Sequence, residues 1–148
     1  YGKAKTLLLE YLEDLSNKQK FNFIWGRLFY IYGDAQPKDT FFGQLREAIS
    51  KRASSFDINS ADKYLDYLKL NEAANIICKL IINFENYGVV NICSGKPISL
   101  FDLATKISDE LNSKIEINVK NDTSRKHEPD KFWGDPTYLK SILKKNNE

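Results

Sequence analysis

The sequence predicts an α/β fold with parallel strands, on three observations. Apolar residues recur at helical spacing in five separate stretches, and short β-branched or aromatic runs lie between them. Two of those runs, Phe21 to Phe29 and Val89 to Cys93, are apolar almost without interruption, as in strands covered on both faces. Helices of ten or more residues separate the runs, which is the spacing that crossover connections between parallel strands require.

Leu8, Tyr11, Leu12 and Leu15 define a first helix of about four turns, ended by the polar segment Ser16 to Lys20. Phe21 to Phe29 then reads as a largely buried strand that continues into Tyr30-Ile31-Tyr32, with Gly33 and Pro37 marking the loop after it. Phe41, Phe42, Leu45, Ala48 and Ile49 form the stripe of a second helix, followed by a polar, loop-like stretch from Ser54 to Lys63. A short extended piece, Tyr64 to Leu68, leads into a third helix with Leu70, Ala73, Ala74, Ile77, Cys78 and Ile81 along its apolar side. Tyr87-Gly88 turns the chain into the strand Val89 to Cys93, which Ser94-Gly95-Lys96-Pro97 ends. Ser99 with Asp102 three residues on forms a capping box for a helix carrying Leu103, Ala104, Ile107 and Leu111. Ile115 to Val119 alternates as an edge strand, and Asp135-Pro136 starts a last short helix with Leu139, Ile142 and Leu143. Only two or three strands are convincing, and the seven glycines form no G-x-G-x-x-G turn, so a nucleotide-binding loop is not expected within this chain.

With 148 residues, 42% hydrophobic and 13% aromatic, one domain with a real core is expected. Twenty-two basic and 20 acidic residues leave a net charge of +2 and no concentrated field for nucleic acid or an anionic membrane surface. No run has the length of a membrane span and no signal-peptide pattern is present, so a cytoplasmic location is expected. Cys78 and Cys93 lack metal-like spacing and read as buried free thiols, and the lone His127 has no ligand cluster; no metal site is expected. The chain has no methionine and opens on Tyr1, and it reads as part of something longer.

Tyr1 and Lys5 stand four positions apart at the start of the first helix, one turn apart on one face. An ammonium beside a phenol favours the phenolate, so the pair has the spacing of a tyrosine-lysine acid/base couple. The same spacing also fits two solvated side chains on a helix surface.

The remaining motifs fall in a definite order. Arg27-Leu28-Phe29-Tyr30-Ile31-Tyr32-Gly33 resembles R-x-x-N-V-Y-G, and Asp66-Tyr67-Leu68-Lys69-Leu70-Asn71-Glu72 resembles R-D-Y-x-x-V-D-D. Gly88 to Gly95 with Ile98-Ser99-Leu100 is similar to G-x-x-N-V-G-S-G-x-x-x-S, and Glu128 to Asp135 resembles a late loop leading to a last helix. With Tyr1-x-x-x-Lys5 ahead of them, they resemble the C-terminal half of the extended short-chain dehydrogenases/reductases, the NAD-dependent epimerase/dehydratase family that acts on nucleotide-diphosphate sugars.

That resemblance implies the C-terminal portion of a Rossmann-like doubly wound sheet plus a small substrate-binding subdomain, the cofactor-binding N-terminal half being absent. It implies Tyr1 as general acid/base, with Lys5 holding the nicotinamide ribose of NAD or NADP and the backbone at Tyr30 and Ile31 approaching the nicotinamide. Tyr30, Phe41, Phe42, Lys63, Leu65, Asp66 and Arg125 would line the pocket for the nucleotide-diphosphate sugar. Two positions depart from the pattern: Tyr30 stands for an asparagine and Leu65 for an arginine, so either Lys63 and Arg125 take over or substrate binding is altered. The Glu-Pro and Phe-Trp-Gly-Asp loop is most similar to reductases of 4-keto-6-deoxy sugars in surface-polysaccharide precursor synthesis, with epimerase and dehydratase still open. The resemblance also implies a homodimer through the Tyr-Lys helix, although Leu7 to Leu15 would equally suit an intramolecular core. The competing expectation is a non-catalytic remnant or assembly partner that self-associates or docks to a separate N-terminal half through the Phe21 to Phe29 strand.

Overall fold

The computed structural model describes residues 1–34, 36–59, 61, 63–120 and 130–145. In chain order the elements are α1 (Gly2–Gln19), β1 (Ile24–Leu28), β2 (Tyr30–Tyr32), α2 (Phe41–Ser50), β3 (Ser55–Asn59), β4 (Tyr64–Lys69) and α3 (Leu70–Ile82). They continue with β5 (Gly88–Ile92), β6 (Pro97–Ser99), α4 (Leu100–Glu110), β7 (Glu116–Lys120), β8 (Lys131–Phe132) and α5 (Thr137–Lys145). The fold is α/β, and its strand pairs are parallel except β4 with β6.

All five expected helices form. α1 continues through the polar segment expected to end it, as far as Gln19, with Asn17, Lys18 and Gln19 exposed and Ser16 buried. Ser16 closes the end: its carbonyl accepts from the Lys20 N–H at 2.8 Å, and its hydroxyl donates to the Phe21 carbonyl at 2.5 Å. The Ser99 hydroxyl accepts from the Asp102 N–H at 2.9 Å and donates to the Asp102 carboxylate at 2.6 Å, which starts α4 at the expected residue.

Four expectations need correction. The strand expected from Phe21 to Phe29 is shorter and only half-covered: β1 pairs with β5 alone among the described residues, and Leu28 is 55% exposed. At Phe29 the chain changes partner, from β5 to β4, which splits the apolar run into β1 and β2. The polar stretch Ser54 to Lys63 is no simple loop; it contains β3, paired in parallel with β7, with Ile58 turned inward. Among the described residues eight short strands form in place of two or three, several of them stabilised by partners distant in sequence rather than by local composition. Finally, α3 buries Ala73 and Leu80, with Ile76 and Ile77 half-buried, and leaves Ala74, Cys78 and Ile81 exposed; Cys78 is therefore not a buried thiol, whereas Cys93 is.

Two apolar cores result. Leu68, Ala73, Leu80, Tyr87, Val90, Ile92, Leu139 and Ile142 join α3 and α5 to the β1–β5 pair. Tyr32, Phe42, Leu45, Leu103, Ala104 and Ile107 join α2 and α4, with Phe56 and Ile117 of the β3–β7 pair packed on them. Each fully buried aliphatic side chain contributes about 1.5–3 kcal/mol. Asp66, fully buried in β4, ties that strand to the turn after β5 and the segment before α5: one carboxylate oxygen accepts from the Ser94 N–H and hydroxyl at 2.8 and 2.6 Å, the other from the Gly95 and Gly134 N–H groups at 2.8 and 3.2 Å. Among the described residues, no helix is long and apolar enough to cross a membrane.

Candidate substrate cleft and tyrosine-lysine pair

The second core is open on one side as a cleft of about 320 Å³. β2 supplies Tyr30, Ile31 and Tyr32, α2 supplies Phe41 and Phe42, β3 supplies Phe56 to Asn59, and β4 supplies Leu65 and Tyr67. Residues read from separate motifs meet here because β2 pairs with β4 in parallel, placing Tyr30 opposite Tyr67. Four of the expected pocket residues, Tyr30, Phe41, Phe42 and Leu65, line it, and so does Ile31. Two aromatic pairs form its walls: Tyr30 with Tyr67, ring centroids 5.5 Å apart, and Phe41 edge-on to Phe56 at 5.9 Å.

The other expected residues are placed differently. Asp66 does not line this cleft; its carboxylate is engaged by the four bonds described above. Lys63 is buried at the entrance to β4. Arg125, like Glu128 and Pro129 of the late loop, lies outside the described residues.

Tyr1 and Lys5 occupy a separate hollow with Thr6, Leu9 and the β1 residues Trp25 to Leu28. α1 brings them together as the spacing requires: the Lys5 N–H donates to the Tyr1 carbonyl at 3.1 Å, and Lys5 Nζ lies 5.7 Å from the Tyr1 ring centroid and 6.0 Å from that of Trp25. Tyr1 is 98% exposed. The described residues offer no glycine-rich turn for the pyrophosphate of a dinucleotide.

Sequence reading missed three residues of the cleft. Tyr67 and Phe56 are recognisable only once β2 meets β4 and β3 meets β7. Gln36, in the loop after β2, donates through Nε2 to the Ile31 carbonyl at 2.8 Å, and its Oε1 is occluded and has no hydrogen-bond partner among the described residues. Tyr32, at the base of the cleft, has its phenol pushed above the usual tyrosine range by burial and stays protonated. Among the described residues, no group of three His, Cys, Asp or Glu side chains could hold a metal ion.

The fold is shared with solved nucleotide-sugar enzymes. A UDP-N-acetylglucosamine 4-epimerase from Methanobrevibacter ruminantium M1 superposes with a TM-score of 0.78 at 22% identity, over 96% of this chain and 46% of that one. In sequence, a dTDP-6-deoxy-L-talose 4-dehydrogenase (NAD(+)) of Aggregatibacter actinomycetemcomitans is 29% identical over 135 residues, 90% of this chain and 50% of the relative. A GDP-6-deoxy-D-talose 4-dehydrogenase of the same organism is 22% identical over 117 residues, 79% of this chain and 40% of the relative. No protein-family model matches. In fold the chain is similar to part of these solved nucleotide-sugar enzymes, and in sequence it is similar to part of two 6-deoxysugar 4-dehydrogenases. The chain spans about half the length of the curated relatives it matches.

Proposed function

We propose that the whole protein is an NAD(P)-dependent enzyme acting at a secondary alcohol or ketone of a nucleotide-diphosphate sugar, specifically a reductase of a 4-keto-6-deoxy sugar in surface-polysaccharide precursor synthesis, working in the cytoplasm. The observation that carries the reading is that four residues expected to line the substrate pocket, Tyr30 and Leu65 at two motif positions and Phe41 and Phe42 of α2, meet in one cleft. The relatives named above, two of them 6-deoxysugar 4-dehydrogenases, support the same chemistry.

In this reading the cleft holds the nucleotide end of the substrate, with Lys63 and Arg125 serving its diphosphate, and the sugar reaches toward Tyr1. The nicotinamide, when bound, supplies or accepts the hydride. Tyr1 donates its hydroxyl proton to the ketone oxygen as the carbon is reduced, and takes it back in the reverse direction. Lys5 holds the ribose and stabilises the phenolate left behind by its positive charge. Tyr30 and Ile31 bound the nicotinamide side through their backbone.

A panel of nucleotide sugars given to the full-length protein tests this by product analysis. Net consumption of NADH or NADPH with a 4-keto-6-deoxy sugar is expected, and turnover without net consumption would assign an epimerase or dehydratase instead. Tyr1→Phe is expected to lower kcat by about 100-fold or more. Wild-type turnover in Tyr1→Phe would remove Tyr1 from the mechanism.

A second reading is favoured by the open edge of β1, which has no strand partner but β5 among the described residues. Such an edge templates pairing with another chain, so the 148-residue chain is expected to self-associate or to bind a separate N-terminal half. Sedimentation showing a monodisperse monomer at micromolar concentration would count against it.

A further inference from the structure

Lys5 carries its charge without a carboxylate partner. Among the described residues no ion pair includes it, and the hollow it shares with Tyr1 holds a second cation, Arg27, and no acid. It also stands at the end of the first turn of α1, where the helix dipole opposes a positive charge and no acidic residue offsets it. Two rings face its ammonium instead, that of Tyr1 at 5.7 Å and that of Trp25 at 6.0 Å from Nζ to the ring centroid. A ring face attracts a cation, and indole does so most strongly. The Tyr1 ring is 98% exposed, so packing does not fix it. Trp25 is half-buried and fixed by its strand. β1 sets it opposite Val89 of β5, and because Ile24 packs into the first core, the next side chain along the strand turns to the other face, toward α1.

We infer that Trp25 is a positioning residue, its ring face holding the Lys5 ammonium beside Tyr1. The inference rests on the reading that Lys5 holds the cofactor's ribose and serves Tyr1. A lysine side chain is long and flexible, and holding it in one place costs rotamer freedom. With the indole face alongside, part of that ordering is complete before the cofactor arrives, and the ribose meets an ammonium already aimed at it. Leucine at this position would keep apolar bulk on β1 and lose the attraction. Phenylalanine would keep a weaker share of it.

Calorimetric titration of the whole protein with NADH and NADPH, in a double-mutant cycle of Trp25→Leu with Lys5→Ala, tests the inference. Trp25→Leu is expected to weaken the cofactor that the wild type binds by about three- to tenfold, and Trp25→Phe to weaken it less. In the Lys5→Ala background Trp25→Leu is expected to change that affinity by less than about twofold, because the group it acts through is gone. Equal weakening in both backgrounds would make Trp25 a packing residue only and overturn the inference. A second readout needs no cofactor. Reductive methylation with isotope-labelled formaldehyde keeps the lysine charge, and the Lys5 methyl signal, assigned by its loss in Lys5→Ala, is expected upfield in the wild type and shifted toward that of an exposed lysine in Trp25→Leu. A wild-type Lys5 signal already at the exposed position would overturn the contact whether or not Trp25→Leu folds. A wild type that binds neither cofactor, or Lys5→Ala that binds as the wild type does, would overturn the reading that Lys5 holds the ribose, and the methyl signal decides the Trp25 contact separately.

Discussion

Cys93 and Cys78 carry the same group into opposite surroundings. Burial, reinforced by the Asp66 charge, pushes the Cys93 thiol up to about 11, while Cys78 lies exposed on α3. At pH 7.5 iodoacetamide is expected to modify Cys78 and spare Cys93, with Cys93 reacting only as the pH nears its raised value or the chain unfolds. Peptide mass spectrometry reads this directly, and equal labelling of both at pH 7.5 would contradict the fold around β5. Single residues also show what sequence reading can and cannot reach. Tyr1 and Lys5 were legible because helical spacing alone brings them within 5.7 Å, ring centroid to ammonium. Gln36 was not, since its place in the cleft wall depends on the Ile31 carbonyl that accepts from its amide nitrogen.

Among the elements, β4 depends most on one side chain. Asp66→Ala would leave the Ser94, Gly95 and Gly134 N–H groups without their acceptor, and is expected to cost about 3–5 kcal/mol by urea denaturation. An unchanged denaturation midpoint would mean those amides find other partners. Ser99→Ala removes the cap of α4 and is expected to cost about 0.5–2 kcal/mol by the same measurement. Gly134→Ala is expected to destabilise as well, because a Cβ there would sit 2.5 Å from Cys93 Sγ and 2.7 Å from the Phe29 ring. The helices were legible from periodicity because their partners are local. β3 was not: in Ser55–Asn59 only Phe56 and Ile58 point inward, and the partner that makes the segment a strand is β7, with Asp57 bonded to Asn118 across 61 positions.

At the scale of the whole molecule, stability should fall away on both sides of neutrality. The Lys120 hydrogen bond holds the Asp57 carboxyl below its ordinary range, and the Thr137 hydroxyl and N–H do the same for Asp135. Unfolded, these groups bind protons more readily, so their contribution is present above about pH 4 and is lost as the pH falls below it. Cys93 and Tyr32, raised by burial, hold their protons more tightly when folded; their contribution is intact below about pH 9 and is lost as the pH rises toward 11. Thermal melts across the pH range should show a plateau between these limits, and a melting temperature still rising below pH 4 would refute the acid limb. Local spacing and motif order were enough for the α/β class, the five helices, the Tyr1–Lys5 pair and the family likeness. The split of the Phe21 to Tyr32 run between two sheets, the burial of Asp66 against the turn after β5 and the segment before α5, and the cleft between β2, α2 and β3 emerge only with long-range pairing. Those depend on which distant strand lies alongside and which donors the main chain has already claimed, and neither is a property of any one segment.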